Sequence, residues 1–101
     1  MLITRWQAPV IPNREQARLI FLSEGLQPLE EVYPAQTSVQ AHRHPFDEIR
    51  MILEGELLLN ISGNQVLLRP GDRIMIPSNT RHETKAHGSE NCVSLFAHRA
   101  F

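Results

Sequence analysis

From about residue 29 onward the chain is cut into short apolar runs, each closed by a turn signal roughly every 8–12 residues. Runs of that length cannot make helices of ordinary size, so this rhythm commits most of the chain to strands. Strands are expected over 31–34, 38–44, 49–53, 56–61, 65–69, 73–76, 81–86 and 91–98. Ser62-Gly63-Asn64 reads as a hairpin turn, because Gly and Asn tolerate positive φ. Pro70-Gly71-Asp72, residues 77–80 and His87-Gly88-Ser89 punctuate the later runs. Alternation with a period of two inside the runs predicts an all-β fold, an antiparallel sandwich or barrel.

The first 28 residues read differently. Pro9 and Pro12 exclude a helix interior, so residues 1–12 should form a short strand and an extended arm. One helix is expected from Asn13 to about Glu24. Asn13 is a good N-cap, Gln16 holds the capping-box position, and Gly25 supplies the left-handed stop. Ala17, Ile20, Phe21 and Glu24 share one face of it, which should pack on the rest of the domain. The organisation expected is an arm and helix over 1–28 and a barrel over 29–101, together one domain. A net charge of −1 without a Lys/Arg cluster argues against a nucleic-acid partner. No apolar run reaches membrane-spanning length, and the N-terminus lacks the apolar core of a signal peptide, so a cytoplasmic location is expected. The single cysteine, Cys92, cannot form an internal disulfide and reads as a small buried residue of the last strand.

Chemistry concentrates in two blocks. The first is His42-Arg43-His44-Pro45-Phe46-Asp47-Glu48, followed by Gly55; the second runs from Gly71 through Pro77 to His82. Neutral imidazoles and a carboxylate are the donors a divalent first-row metal takes from a protein. His42 and His44 stand two apart, so a regular strand would send both side chains to one face, and Pro45 keeps His44 extended. Glu48 follows a possible turn at Pro45-Phe46-Asp47 and can rejoin the same pocket from the next strand. His82 must be delivered by the fold. His87 and His98 lie on neither block and read as surface residues.

With these residues in view, the chain resembles the cupin superfamily over roughly residues 29–98. The family's first motif, Gly-x5-His-x-His-x3,4-Glu-x6-Gly, is met by His42, His44, Glu48 and Gly55, with Gln36 at its opening glycine. The second, Gly-x5-Pro-x-Gly-x2-His-x3-Asn, is met by Gly71, Pro77 and His82. Asn79 stands at its inner glycine, a mild change because asparagine accepts the left-handed region, and Ala86 at its closing asparagine. The resemblance implies a small jelly-roll barrel of roughly six to eight strands. It also implies a metal held by His42, His44, Glu48 and His82, and a homodimer.

Four protein ligands would close a tetrahedral zinc site, whereas an octahedral Fe, Mn, Ni or Cu ion would keep two adjacent positions open. One divalent ion per chain is expected, with its identity among these metals left open. On a regular strand after Glu48, Arg50 and Ile52 face inward and Ile49, Met51 and Leu53 outward. Arg50 either forks onto a substrate carboxylate or pairs with Asp47 or Glu54 at the rim. Phe46, Ile52, Leu57, Leu59 and Thr84 are the candidate pocket wall, read as plain barrel filling ahead of substrate contact, and Tyr33 can add a phenol. The outward face of Ile49, Met51 and Leu53 needs cover from a second sheet or a second subunit. Two functions fit. One is a metal-dependent enzyme (dioxygenase, isomerase, lyase or decarboxylase) acting on a small oxygenated or carboxylate-bearing molecule, with Glu48 and Arg50 as candidate catalytic residues. The other is a non-catalytic module that binds or senses a small molecule or metal.

Overall fold

A computed structural model describes residues 2–99. In chain order its elements are β1 (Leu2–Thr4), α1 (Arg14–Ser23), β2 (Leu29–Tyr33), β3 (Ser38–His42), β4 (Asp47–Glu54), β5 (Glu56–Ile61), β6 (Asn64–Leu68), β7 (Arg73–Ile76), β8 (His82–His87) and β9 (Cys92–Arg99). Two antiparallel sheets face each other as a jelly roll, one ordered β1-β7-β4-β9-β2 and the other β3-β8-β5-β6. The arm's strand β1 is part of the barrel, since Ile3 pairs with Ile74 at the edge of the first sheet.

The helix starts where the capping residues put it. The Asn13 side chain accepts from the Gln16 N–H and the Gln16 side chain accepts from the Asn13 N–H, so two orphan donors are satisfied together. Gly25 follows at φ +77°, where a Cβ would be strained. Ala17 and Phe21 are fully buried against Ile49, Met51, Leu95 and Ala97. This corrects the expectation that the second sheet covers the outward face of β4: within the chain, α1 covers it. Residues Asp47–Ile52 are accordingly buried without a break, as in a strand covered on both sides. The Phe21 side chain alone should contribute about 1.5–3 kcal/mol.

Between the sheets, Ile52, Leu57, Leu59, Ile61, Leu68, Ile74 and Ile76 form the main core, which fills one end of the barrel. Two turns differ instructively from expectation. In the β5–β6 hairpin the residues at positive φ are Ser62 (+51°) and Gly63 (+81°), while Asn64 already pairs with Ile61. Two central residues of that kind twist the loop to match the strands, so the turn ends one residue earlier than read. Gln36, at the motif's opening glycine, is also left-handed at φ +66°. Its side chain donates to the Gly88 carbonyl at 2.5 Å, which offsets part of the steric cost.

The arm is clasped onto the barrel by Asp72. Its carboxylate accepts from Arg5 Nη1 (2.6 Å), the Trp6 N–H (3.1 Å) and the Arg69 N–H (3.0 Å), and Trp6 lies over Gly71. Burial pushes the Asp72 carboxyl up, but the Arg69 N–H, the Arg5 guanidinium and the Trp6 N–H outweigh it and hold the pKa below the ordinary value. A depressed folded pKa gives stability that is complete above the unfolded value, about 3.9, and is lost as pH falls through the folded value. Asp72→Asn should therefore cost about 1–2 kcal/mol at pH 7, Arg5 being half exposed. Thermal melts across pH should show that difference vanishing in strong acid. A constant difference down to pH 2 would count against the clasp.

Candidate metal centre

Three chain segments meet at the open end of the barrel. His42 closes β3, His44 sits in the loop beyond it, and His82 opens β8 opposite His42. The strand expected over 38–44 stops at His42, and it is not regular. Val39 pairs with Thr84 but His42 pairs with His82, so one extra residue bulges from β3. A bulge resets the alternation, and here it lets Val39 and His42 line the same cavity despite their odd separation. The two ligand-bearing loops are tied together: the Asn79 N–H donates to the His44 carbonyl (2.6 Å) and the Ser78 N–H to Asp47 Oδ1 (2.9 Å). Asn79 takes φ +62°, the left-handed conformation for which the motif uses glycine.

One ring nitrogen from each of His42, His44 and His82 lies within 4.8 Å of the others. Three donors about 2.1 Å from one ion stand roughly 3.0–3.6 Å apart, so the rings need to close by about 1–2 Å at most to share it. Their tautomers suit the task. His42 Nδ1 is 2.8 Å from the Gln40 carbonyl and His82 Nδ1 is 2.9 Å from the Thr80 carbonyl. A carbonyl only accepts, so both Nδ1 atoms carry a proton, which leaves Nε2 as the ring atom through which each would bind a metal. Burial pushes the His44 pKa down against the opposing pull of Glu48, which keeps that ring neutral at pH 7.

Glu48 Oε1 lies 3.1 Å from His44 Nε2, close to the spacing of adjacent ligands around one ion. Its other oxygen accepts from Arg50 Nε at 2.9 Å. Burial raises the Glu48 pKa, but the Arg50 charge and hydrogen bond win and hold the group ionised. Arg50 is itself buried, with 5% of its surface exposed. Its Nη1 donates to Ser94 Oγ (2.7 Å) and lies 2.8 Å from Glu31 Oε1, while the guanidinium stacks 4.7 Å from the Phe96 ring centre. Neither Asp47 nor Glu54 pairs with it; Asp47 faces Arg99 instead.

The cavity over these groups holds about 280 Å³ and is walled by Tyr33, Val39, Thr84, Phe96 and His98 as well as the histidines. The profile of the Cupin domain family matches residues 28–98. The chain belongs to the cupin family. Among known proteins it is 46% identical over 48 residues to an acireductone dioxygenase of Bacillus licheniformis, covering 43% of this chain and 27% of that one. It is 35% identical over 77 residues to the acireductone dioxygenase of Alcanivorax borkumensis, covering 62% and 42% of the two chains. The chain thus spans less than half the length of these relatives. Among solved structures, the DMSP lyase DddQ from Ruegeria pomeroyi superposes with a TM-score of 0.67 at 30% identity, over 74% of this chain and 38% of that one.

Other residues of this cupin fall in two groups. Ile52, Leu57 and Leu59, expected on the pocket wall, are at most 1% exposed within the core and do not line the cavity. Phe46 is also absent from that wall and stacks on His98 at 3.9 Å between ring centres. His98 is exposed, as read, yet it also borders the cavity, and Glu31, Ser94 and Phe96 are further neighbours of the site that the sequence did not single out. Their signal was parity: Phe96 and His98 alternate along β9, and Glu31 and Tyr33 along β2. Cys92 is buried, and burial pushes its thiol up to about 11, so it is no nucleophile. His87 is exposed and outside this cavity. Ala86, at the motif's asparagine, is fully buried apolar filling. Among the described residues no helix is long and apolar enough to cross a membrane.

Proposed function

We propose that this cupin holds one divalent first-row metal between His42, His44, Glu48 and His82 and is an enzyme acting on a small oxygenated molecule, in a dioxygenase reaction like that named for its relatives. The observation that carries the reading is the convergence of three imidazoles, two of them with Nδ1 held by a backbone carbonyl and Nε2 left to bind, beside an ionised carboxylate. A metal bound there supplies Lewis acidity toward substrate oxygens. The chain's own residues do the rest. Arg50 acts through Glu48 as a positioning residue, because its Nε and Nη1 are committed to Glu48 and Ser94. Burial pushes the Tyr33 phenol up to about 12, so it stays protonated and can donate a hydrogen bond but not take a proton. Phe96 and Val39 give the cavity apolar wall, and its size, at the low end for ligand pockets, favours a compact substrate.

The likeness to a DMSP lyase supports a second reading, a lyase that needs no oxygen. Protein purified without chelator should carry one metal per chain by elemental analysis. Stripping and then reloading it should raise Tm by roughly 10 °C at a hundredfold excess over Kd. Oxygen uptake with acireductone then separates the dioxygenase from the lyase. Protein that takes up no divalent ion under any loading would end both readings.

A further inference from the structure

Two polar atoms in this cavity have no hydrogen-bond partner among the described residues: Thr84 Oγ1 and Glu31 Oε1. Thr84 is only 7% exposed, on the inward face of β8 where His82, Thr84 and Ala86 alternate with the outward Glu83, Lys85 and His87. Glu31 reaches in from β2, on the opposite sheet. Its Oε1 lies 2.8 Å from Arg50 Nη1, an ion pair that balances its charge without a directed hydrogen bond, and its side chain is 35% exposed. A buried hydroxyl left without a partner costs about 1–3 kcal/mol, and such atoms in native proteins call for an explanation. Both atoms border the one cavity that also holds the three histidines, so a ligand can satisfy both.

We propose that Thr84 and Glu31 form a hydroxyl-recognition subsite, so that the substrate is a small hydroxy acid whose chelating oxygens face the metal and whose distal hydroxyl lies between the two sheets. The chemistry sets the polarity of that group. Glu31 only accepts and Thr84 both donates and accepts, so the ligand must present a donor to Glu31 and any polar partner, donor or acceptor, to Thr84. A hydroxyl does both. A bare methyl does neither, and a second carboxylate would meet Glu31 with like charge. The inference rests on the metal reading above, and its test separates the two.

The first measurement needs no metal. Thr84→Val replaces an unpartnered buried hydroxyl with a methyl of similar shape, so Tm of the metal-free protein should rise by about 4 °C. A fall of that size would mean the hydroxyl already has a structural partner and would overturn the proposal. The second uses Ni²⁺-loaded protein and calorimetry, with 4-hydroxybutyrate and 5-hydroxypentanoate against butyrate and pentanoate. At least one hydroxy acid should bind about tenfold more tightly than its parent. That preference should vanish in Thr84→Val and Glu31→Ala and survive in Thr84→Ser. Normal Ni²⁺ uptake with equal affinities at both chain lengths refutes the subsite alone, whereas absence of Ni²⁺ uptake refutes the metal reading and this inference with it.

Discussion

His42→Ala should weaken metal binding by more than about 100-fold, short of abolishing it at saturating metal, while leaving the metal-free protein as stable as its parent. The two halves of that result have separate causes. His42 is exposed and ends its strand, so its removal opens no core cavity and leaves no buried polar group unpaired. Its ring is nonetheless one of the three that converge, and its Nδ1–H is spent on the Gln40 carbonyl, which aims Nε2 inward. Loss of a group that merely orients a ligand costs 10–100-fold in metal affinity, so loss of the ligand itself should exceed about 100-fold. Calorimetric titration with Ni²⁺ and a thermal melt in chelator read the two halves independently. Unchanged Ni²⁺ affinity would remove His42 from the site, and a collapsed melt would give it a structural role instead.

Gly55→Ala is expected to be the most damaging single-atom addition to the fold. Gly55 joins the two sheets between β4 and β5 at φ +72°, and a Cβ there would stand 2.2 Å from the Asn91 carbonyl oxygen. The left-handed backbone costs roughly 1–2 kcal/mol for an L side chain. The overlap is with backbone, which cannot rotate away, and adds about 1–3 kcal/mol. The sum, roughly 2–5 kcal/mol, corresponds to a Tm loss of about 10 °C or more in a domain this size. Gly63→Ala is the control. It has a similar φ, +81°, but open space around it, so only the backbone share should appear. Equal urea midpoints for the two variants would show that the Asn91 contact relaxes.

Much of this architecture could be read before any coordinates, for reasons that differ from element to element. The helix start was legible because Asn13 and Gln16 satisfy each other locally. The left-handed turn at Asn79 was legible because few other residue types tolerate it. The histidine blocks were legible because ligand chemistry admits few substitutes. What escaped was non-local. The β3 bulge has no signature in Val39-Gln40-Ala41-His42, since it is set by the pairing with β8, some 40 residues away. Arg50 was placed inward correctly by parity, but Ser94 and Glu31, which fix what it can do, come from strands on either side of it in sequence. The cover on β4 was misassigned because the apolar face of α1 and the outward face of β4 each ask for a partner without naming it.

X-ray absorption at the edge of a metal loaded into the intact chain is the most direct test of the central claim. The account predicts a first shell of nitrogen and oxygen at about 2.1 Å, with outer scattering from three imidazoles that drops to two in His42→Ala. A shell containing sulfur, or one with fewer than two imidazoles in the parent protein, would contradict it.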